Sequence, residues 1–141
     1  MEDPAKKVDI LVVEDEDNIA IALNFLLTRE GYNHKRLETG TGAVDVIRES
    51  KPDLVLLDVM LPGVSGYDIC QTVRADPECA GVRILMMTAR GSAAEWRKGM
   101  ALGADGFISK PFDLDQLRKE LRRLLDAPPG GARPPEGDAD A

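Results

Sequence analysis

Three stretches of this chain, residues 8–13, 54–57 and 82–87, are almost wholly apolar. They do not alternate apolar with polar, so each predicts a strand buried on both faces. Residues 32–37 are more polar and predict an edge strand, and residues 105–109 predict a short fifth strand. Between these runs the apolar positions recur at helical spacing. Ile19, Leu23, Leu26 and Leu27 mark a first helix, with Gly31 as its C-terminal stop and Asp17 or Asn18 as its cap. Ala43, Val44 and Ile47 mark a second over 41–50, ended by Pro52. Ser65 caps a third through about residue 75, with Ile69 and Val73 inward. Ser92 and Glu95 form a capping box for a fourth helix that ends near Gly103. Asp113 and Gln116 form another, and Leu114, Leu117, Leu121 and Leu124 stripe the last helix.

Five strands alternating with five helices imply an α/β domain: a doubly wound parallel sheet with right-handed crossovers. The flavodoxin-like (βα)5 arrangement, with strand order 2-1-3-4-5, suits five units. Its switch point falls between strands 1 and 3, which sets Glu14 and Asp15 beside Asp58.

Composition narrows the function. At 141 residues, 43% apolar, the chain supports one domain with a real core. That domain is expected over 8–126, after a short extension at 1–7. Residues 127–141 turn to Pro, Gly, Ala and Asp without apolar periodicity, and are expected to be a disordered tail or linker. Net charge is −7, and the densest basic cluster is only Arg118, Lys119, Arg122 and Arg123, which argues against direct nucleic-acid binding. No apolar run suits a leader or a membrane span. Cys70 and Cys79 do not form a CxxC pair and read as reduced thiols, so a cytoplasmic protein is expected. His34 is the sole histidine, too little for a zinc site.

Four features fall at carboxyl ends of predicted strands: Glu14-Asp15, Asp58, Thr88 and Lys110. Three carboxylates gathered at one edge repel one another. A hard divalent cation with oxygen ligands, Mg²⁺ or alternatively Mn²⁺, relieves that repulsion. A carboxylate nucleophile, a divalent ion, a hydroxyl and a lysine together suit phosphoryl transfer to an aspartate. Each feature alone has a plainer reading. Asp58 suits a strand-end cap, Glu14 and Asp15 suit a helix N-terminus, and Lys110 suits a solvated surface.

The ordered set is more specific than its parts. Glu14-Asp15, then Asp58-Val-Met-Leu-Pro-Gly-Val-Ser-Gly66, then Thr88-Ala89, then Lys110-Pro111 resembles the receiver domain of two-component response regulators over residues 8–125. The resemblance implies that Asp58 is the phosphoacceptor and that Mg²⁺ is held by Asp15, Asp58 and the backbone carbonyl of Met60, with Glu14 acting through a metal-bound water. It implies that Thr88 and Lys110 contact the phosphoryl group, that Lys110-Pro111 is cis, and that Phe107 is the aromatic switch partner of Thr88. The phosphodonor would be a sensor histidine kinase or a phosphotransfer protein. The output would be a downstream protein effector or a homodimer formed through the helix 4–strand 5–helix 5 face, without membrane or direct nucleic-acid contact.

Departures from the family pattern bear on lifetime and output. Met60, two residues after Asp58, cannot orient an attacking water, and Arg90, two after Thr88, is long enough to shield the phosphoryl group or pair with it, so slow self-dephosphorylation is expected. The run Gly103-Ala104-Asp105-Gly106-Phe107, with Trp96 and Glu120 nearby in the pattern, lacks the charged dimer network of winged-helix regulators. A stand-alone receiver is therefore expected. The alternatives are the receiver fragment of a DNA-binding regulator, a receiver no longer phosphorylated, and a Mg²⁺-dependent aspartyl-phosphate phosphatase, whose second acid would stand where Met60 does. Trp96 reads equally as an exposed partner anchor or as a half-buried packing residue.

Overall fold

A computed structural model describes residues 9–89 and 93–126. The strands are β1 Asp9–Val13, β2 Asn33–Leu37, β3 Leu54–Asp58, β4 Arg83–Thr88 and β5 Gly106–Ser109. The helices are α1 Asp17–Arg29, α2 Ala43–Ser50, α3 Gly66–Arg74, α4 Ala93–Ala101 and α5 Leu114–Asp126. All strand pairs are parallel and the sheet order is β2-β1-β3-β4-β5, as the alternating pattern predicts. The edge position of β2 fits its polar sequence, and none of its residues is fully buried.

Consecutive strand residues serve opposite faces, which is why the apolar runs are unbroken. Leu11, Val13, Val55, Leu57, Ile84 and Met86 pack with Ala43, Ile47, Ile69 and Val73 under α2 and α3. Ile10, Val12, Leu54, Leu56, Leu85 and Met87 pack with Leu23, Leu27, Leu117 and Leu121 under α1 and α5. Cys70 and Cys79 are buried free thiols within the first layer. His34 lies on β2, and its Nε2 is 2.8 Å from the Thr28 hydroxyl, a structural contact away from the site.

Two of the expected caps form. Ser65 Oγ accepts from Asp68 N at 3.2 Å, and Asp113 Oδ1 accepts from Gln116 N at 2.6 Å. The α1 cap differs: Glu16 takes the N-cap position with no side-chain hydrogen bond there. Asp17 is drawn instead to Arg36, 3.0 Å away, so a cross-element ion pair outcompetes the local cap. Ser92 and the proposed tail lie outside the described residues. A 3₁₀ turn, Pro77–Cys79, was not expected; Asp76 Oδ1 accepts from Glu78 N and sets it. The far end of α4 is anchored by Arg74, whose Nε donates to Gly103 O at 2.7 Å and whose guanidinium pairs with buried Asp105. Asp105 also accepts from Ile84 N at 2.9 Å. Among the described residues no helix is long and apolar enough to cross a membrane.

Candidate phosphoacceptor site

Sheet register decides which side chains meet. Val13 stands level with Leu57, Asp58 with Met87, and Thr88 with Ser109. The next residue along β1 is Glu14, and the next along β5 is Lys110, so all four chains end at one edge.

Asp58 is 4% exposed and Glu14 is fully buried, while Asp15 is exposed. One carboxylate oxygen from each lies within 4.8 Å of the other two. Lys110 Nζ is 2.8 Å from Glu14 Oε1 and 3.3 Å from Asp58 Oδ2. Backbone amides add partners: Glu16 N donates to Glu14 Oε2 at 3.0 Å, and Met60 N donates to Asp58 Oδ1 at 3.2 Å. Desolvation, then the charge of Glu14, push the Asp58 carboxyl up to about 6, against the pull of Lys110. Burial alone would lower the Lys110 pKa, but Glu14 and Asp58 outweigh it and the ammonium titrates above its ordinary value. Three carboxylates thus face one ammonium. A buried carboxyl still driven toward protonation beside that ammonium is the electrostatic signature of a site short of positive charge. Such an all-oxygen donor set fits a hard divalent cation.

The other expected residues take different positions. Met60 turns its side chain outward, 74% exposed, and its backbone inward. Thr88 is buried beside the cluster, but its hydroxyl donates to Glu95 Oε1 at 2.8 Å. Phe107 is 4% exposed beneath Trp96, with ring centroids 5.7 Å apart and planes tilted by 31°. Trp96 is 46% exposed, so it is at once half-buried and accessible. The Lys110-Pro111 peptide is cis. Gly66 has no room for a side chain: a Cβ there would stand 2.2 Å from the Asp58 carbonyl oxygen, so the α3 N-terminus rides directly over the end of β3. Arg90 lies outside the described residues.

Two contributors escaped the sequence pattern. Arg36, from the end of β2, donates through Nε to Glu14 O at 3.0 Å and fixes the β1 turn. Its signal was a lone arginine just before the apolar end of an edge strand. The sequence pattern marks Glu95 only as a capping acid, although it reaches Thr88.

Comparison with known proteins agrees with this geometry. A family model described as the response regulator receiver domain matches residues 10–122. The chain belongs to the response regulator receiver family. A relative of this receiver, the DNA-binding response regulator MtrA of Mycobacterium tuberculosis H37Rv, is 43% identical over 123 residues, covering 84% of this chain and 53% of MtrA. The receiver therefore spans about half the length of the curated relatives it matches. Among solved structures, a response regulator of Chloroflexus aurantiacus J-10-fl superposes with a TM-score of 0.82 at 34% identity, over 86% of this chain and all of that one. The receiver domain of the Pseudomonas aeruginosa sensor histidine kinase PA1611 superposes with a TM-score of 0.79 at 25% identity, over 86% of this chain and 100% of that one. That structure carries a magnesium ion in its active-site cleft.

Proposed function

We propose that this receiver accepts a phosphoryl group on Asp58 from a phosphohistidine of a sensor histidine kinase or phosphotransfer protein. The single observation that carries the reading is the placement of the Asp58 carboxylate, buried at a strand end, 3.3 Å from Lys110 Nζ and within reach of Glu14 and Asp15. In the transfer an Asp58 oxygen forms the new bond to phosphorus while the bond to the donor imidazole nitrogen breaks, and that nitrogen keeps the electron pair. Glu14, Asp15, Asp58 and the Met60 carbonyl would hold Mg²⁺, or Mn²⁺ in its place. Bound there, the ion would neutralise charge on the phosphoryl oxygens. Lys110 neutralises a further phosphoryl oxygen, and its two carboxylate partners keep it charged at any working pH. Thr88 offers a hydroxyl donor to the same group once it turns from Glu95.

Phosphorylation then biases an existing equilibrium between two packings of Thr88, Phe107 and α4. The α4–β5–α5 face changes shape and alters binding to a protein effector or a second copy in the cytoplasm. Such a domain assists its own modification and turns over no external substrate.

The match to MtrA favours one further reading: a receiver segment of a DNA-binding regulator. In both cases the first test is Mg²⁺-dependent labelling with acetyl phosphate. Wild type should label, and Asp58→Asn should not. Equal labelling of the two refutes the phosphoacceptor assignment, and steady phosphate release from generic phosphoesters would favour a phosphatase instead.

A further inference from the structure

Two neighbouring residues of α4 hold the two residues proposed to switch. Glu95 accepts the Thr88 hydroxyl at 2.8 Å, and Trp96 stacks on Phe107 at 5.7 Å. Gly99, one turn further on, lets the helix approach closely: a Cβ there would meet Phe107 Cε2 at 2.6 Å. Glu95 and Trp96 thereby help fasten the first turns of α4 to the site, through a hydrogen bond and a ring contact. We propose that Glu95 is a positioning residue that holds Thr88 away from Asp58 and sets how readily the receiver is phosphorylated and activated. This rests on the phosphoacceptor reading above.

The physical argument is competition for one proton. A hydroxyl donates a single hydrogen. While Glu95 accepts it, Thr88 cannot donate to a phosphoryl oxygen on Asp58. Glu95 offers carboxylate oxygens, and hydrogen bonds to a charged acceptor are roughly twice as strong as neutral ones. The incoming phosphoryl group must therefore offer a better acceptor than Glu95 before Thr88 moves. Glu95 is only partly buried, so water can solvate it after release, and a nearby donor waits. The Tyr67 hydroxyl is buried with no hydrogen-bond partner among the described residues. Burial, and then the charge of Glu95, raise its pKa. When Thr88 leaves, its hydrogen bond to Glu95 is lost, and a movement of the same turn carries Trp96 off Phe107. The phosphoryl signal thus reaches the surface through two consecutive residues.

The test is a double-mutant cycle on the full chain, read by the rate of Asp58 labelling from acetyl phosphate in Mg²⁺ and by emission of Trp96, the sole tryptophan. Glu95→Ala should label about tenfold faster than wild type, the equivalent of roughly 1.4 kcal/mol removed from the resting state. Its unphosphorylated emission should move toward that of the labelled wild type. Glu95→Gln, which still accepts a hydrogen bond, should fall between them. In a Thr88→Val background Glu95→Ala should have no effect, since no hydroxyl remains to be held. In Thr88→Ser, which keeps the hydroxyl, the acceleration should return. Equal acceleration in the Thr88→Val and wild-type backgrounds would mean simple charge repulsion from Glu95 and would overturn the proposal. No change on Glu95→Ala would overturn it too. If wild type itself does not label, the phosphoacceptor reading has failed, and the Trp96 emission of unphosphorylated Glu95→Ala still decides whether Glu95 fixes the resting state.

Discussion

Lys110 lies closer to Glu14 than to Asp58, 2.8 Å against 3.3 Å. Glu14 is fully buried, and this ammonium is the cation that offsets its charge there. Removing one member of a buried pair leaves the other uncompensated. Lys110→Ala should lower unfolding stability by about 3 kcal/mol in EDTA, and by clearly less in excess Mg²⁺. Urea denaturation with and without the ion measures both. An equal loss in the two conditions would refute the idea that a dication and Lys110 share the task of neutralising the site.

Asp58 gives a pH dependence of definite sign. Its carboxyl rises from 3.8 to about 6 on folding, mainly by desolvation and then by Glu14. The fold therefore binds this proton more tightly than the unfolded chain does. Its contribution is full below about pH 4 and is lost as pH rises through 6. In EDTA at pH 7.5, Asp58→Asn should be more stable than wild type by on the order of 1–2 kcal/mol, after discounting for partial solvation. The two proteins should converge near pH 4. A less stable Asn variant at pH 7.5 would contradict the electrostatic account.

Met60 exposes its thioether above the site and offers no strong hydrogen bond to a water attacking phosphorus. Met60→Asn should therefore shorten the lifetime of the acyl phosphate several-fold, with no change in fold. The decay of radiolabelled protein measures it, and an unchanged rate removes Met60 from any account of signal duration.

Gly99→Ala sets two effects against each other. Alanine gains about 1 kcal/mol of helix propensity over glycine. Its methyl would stand 2.6 Å from Phe107 Cε2 and 3.4 Å from Met86 Sδ, and overpacking of that kind costs about 1–3 kcal/mol. A net loss of about 1 kcal/mol is expected, together with a shift in Trp96 emission as the ring contact opens. A stabilised variant would mean that α4 is free to move off Phe107 at no cost.

Burial raises the Cys70 thiol to about 11 and raises Cys79 as well. The native fold keeps both protons, so this contribution is present below about pH 9 and fades as pH climbs toward 11. Ellman's reagent at pH 8 should label native protein only at the rate of unfolding, and label both thiols at once in urea. Fast native labelling of either would place it at the surface.

The fold was legible because its signal is hydrophobic periodicity, and β1, β3 and β4 are buried on both faces. The convergence of Glu14, Asp15, Asp58 and Lys110 was legible for the same reason, since a parallel sheet brings its strand ends to one edge. Contacts that depend on rotamer choice were not. The pattern offers Asp17 as a helix cap, yet Arg36 from β2 claims it. Thr88 is expected to contact a phosphoryl group on Asp58, and the sequence does not show that its hydroxyl meanwhile bonds to Glu95 from the following helix. Both cases involve a polar side chain with two acceptable partners, and sequence spacing does not say which one wins. Trp96 fits both readings offered for it, because one face of the indole packs on Phe107 while the rest stays in water.

The bonds at the far end of α4 bear on how the near end moves. Arg74 clamps Gly103 and Asp105, and Asp105 is hydrogen-bonded to the start of β4. That end is a fulcrum. The helix has nine residues, so its arm is about 13 Å long at 1.5 Å per residue. A swing of only about 10° about the fulcrum carries the Glu95 end through roughly 2 Å, enough to separate a 2.8 Å hydrogen bond while the helix itself stays intact. A switch of the proposed kind would need no unfolding, only a short rigid lever pinned at one end and released at the other.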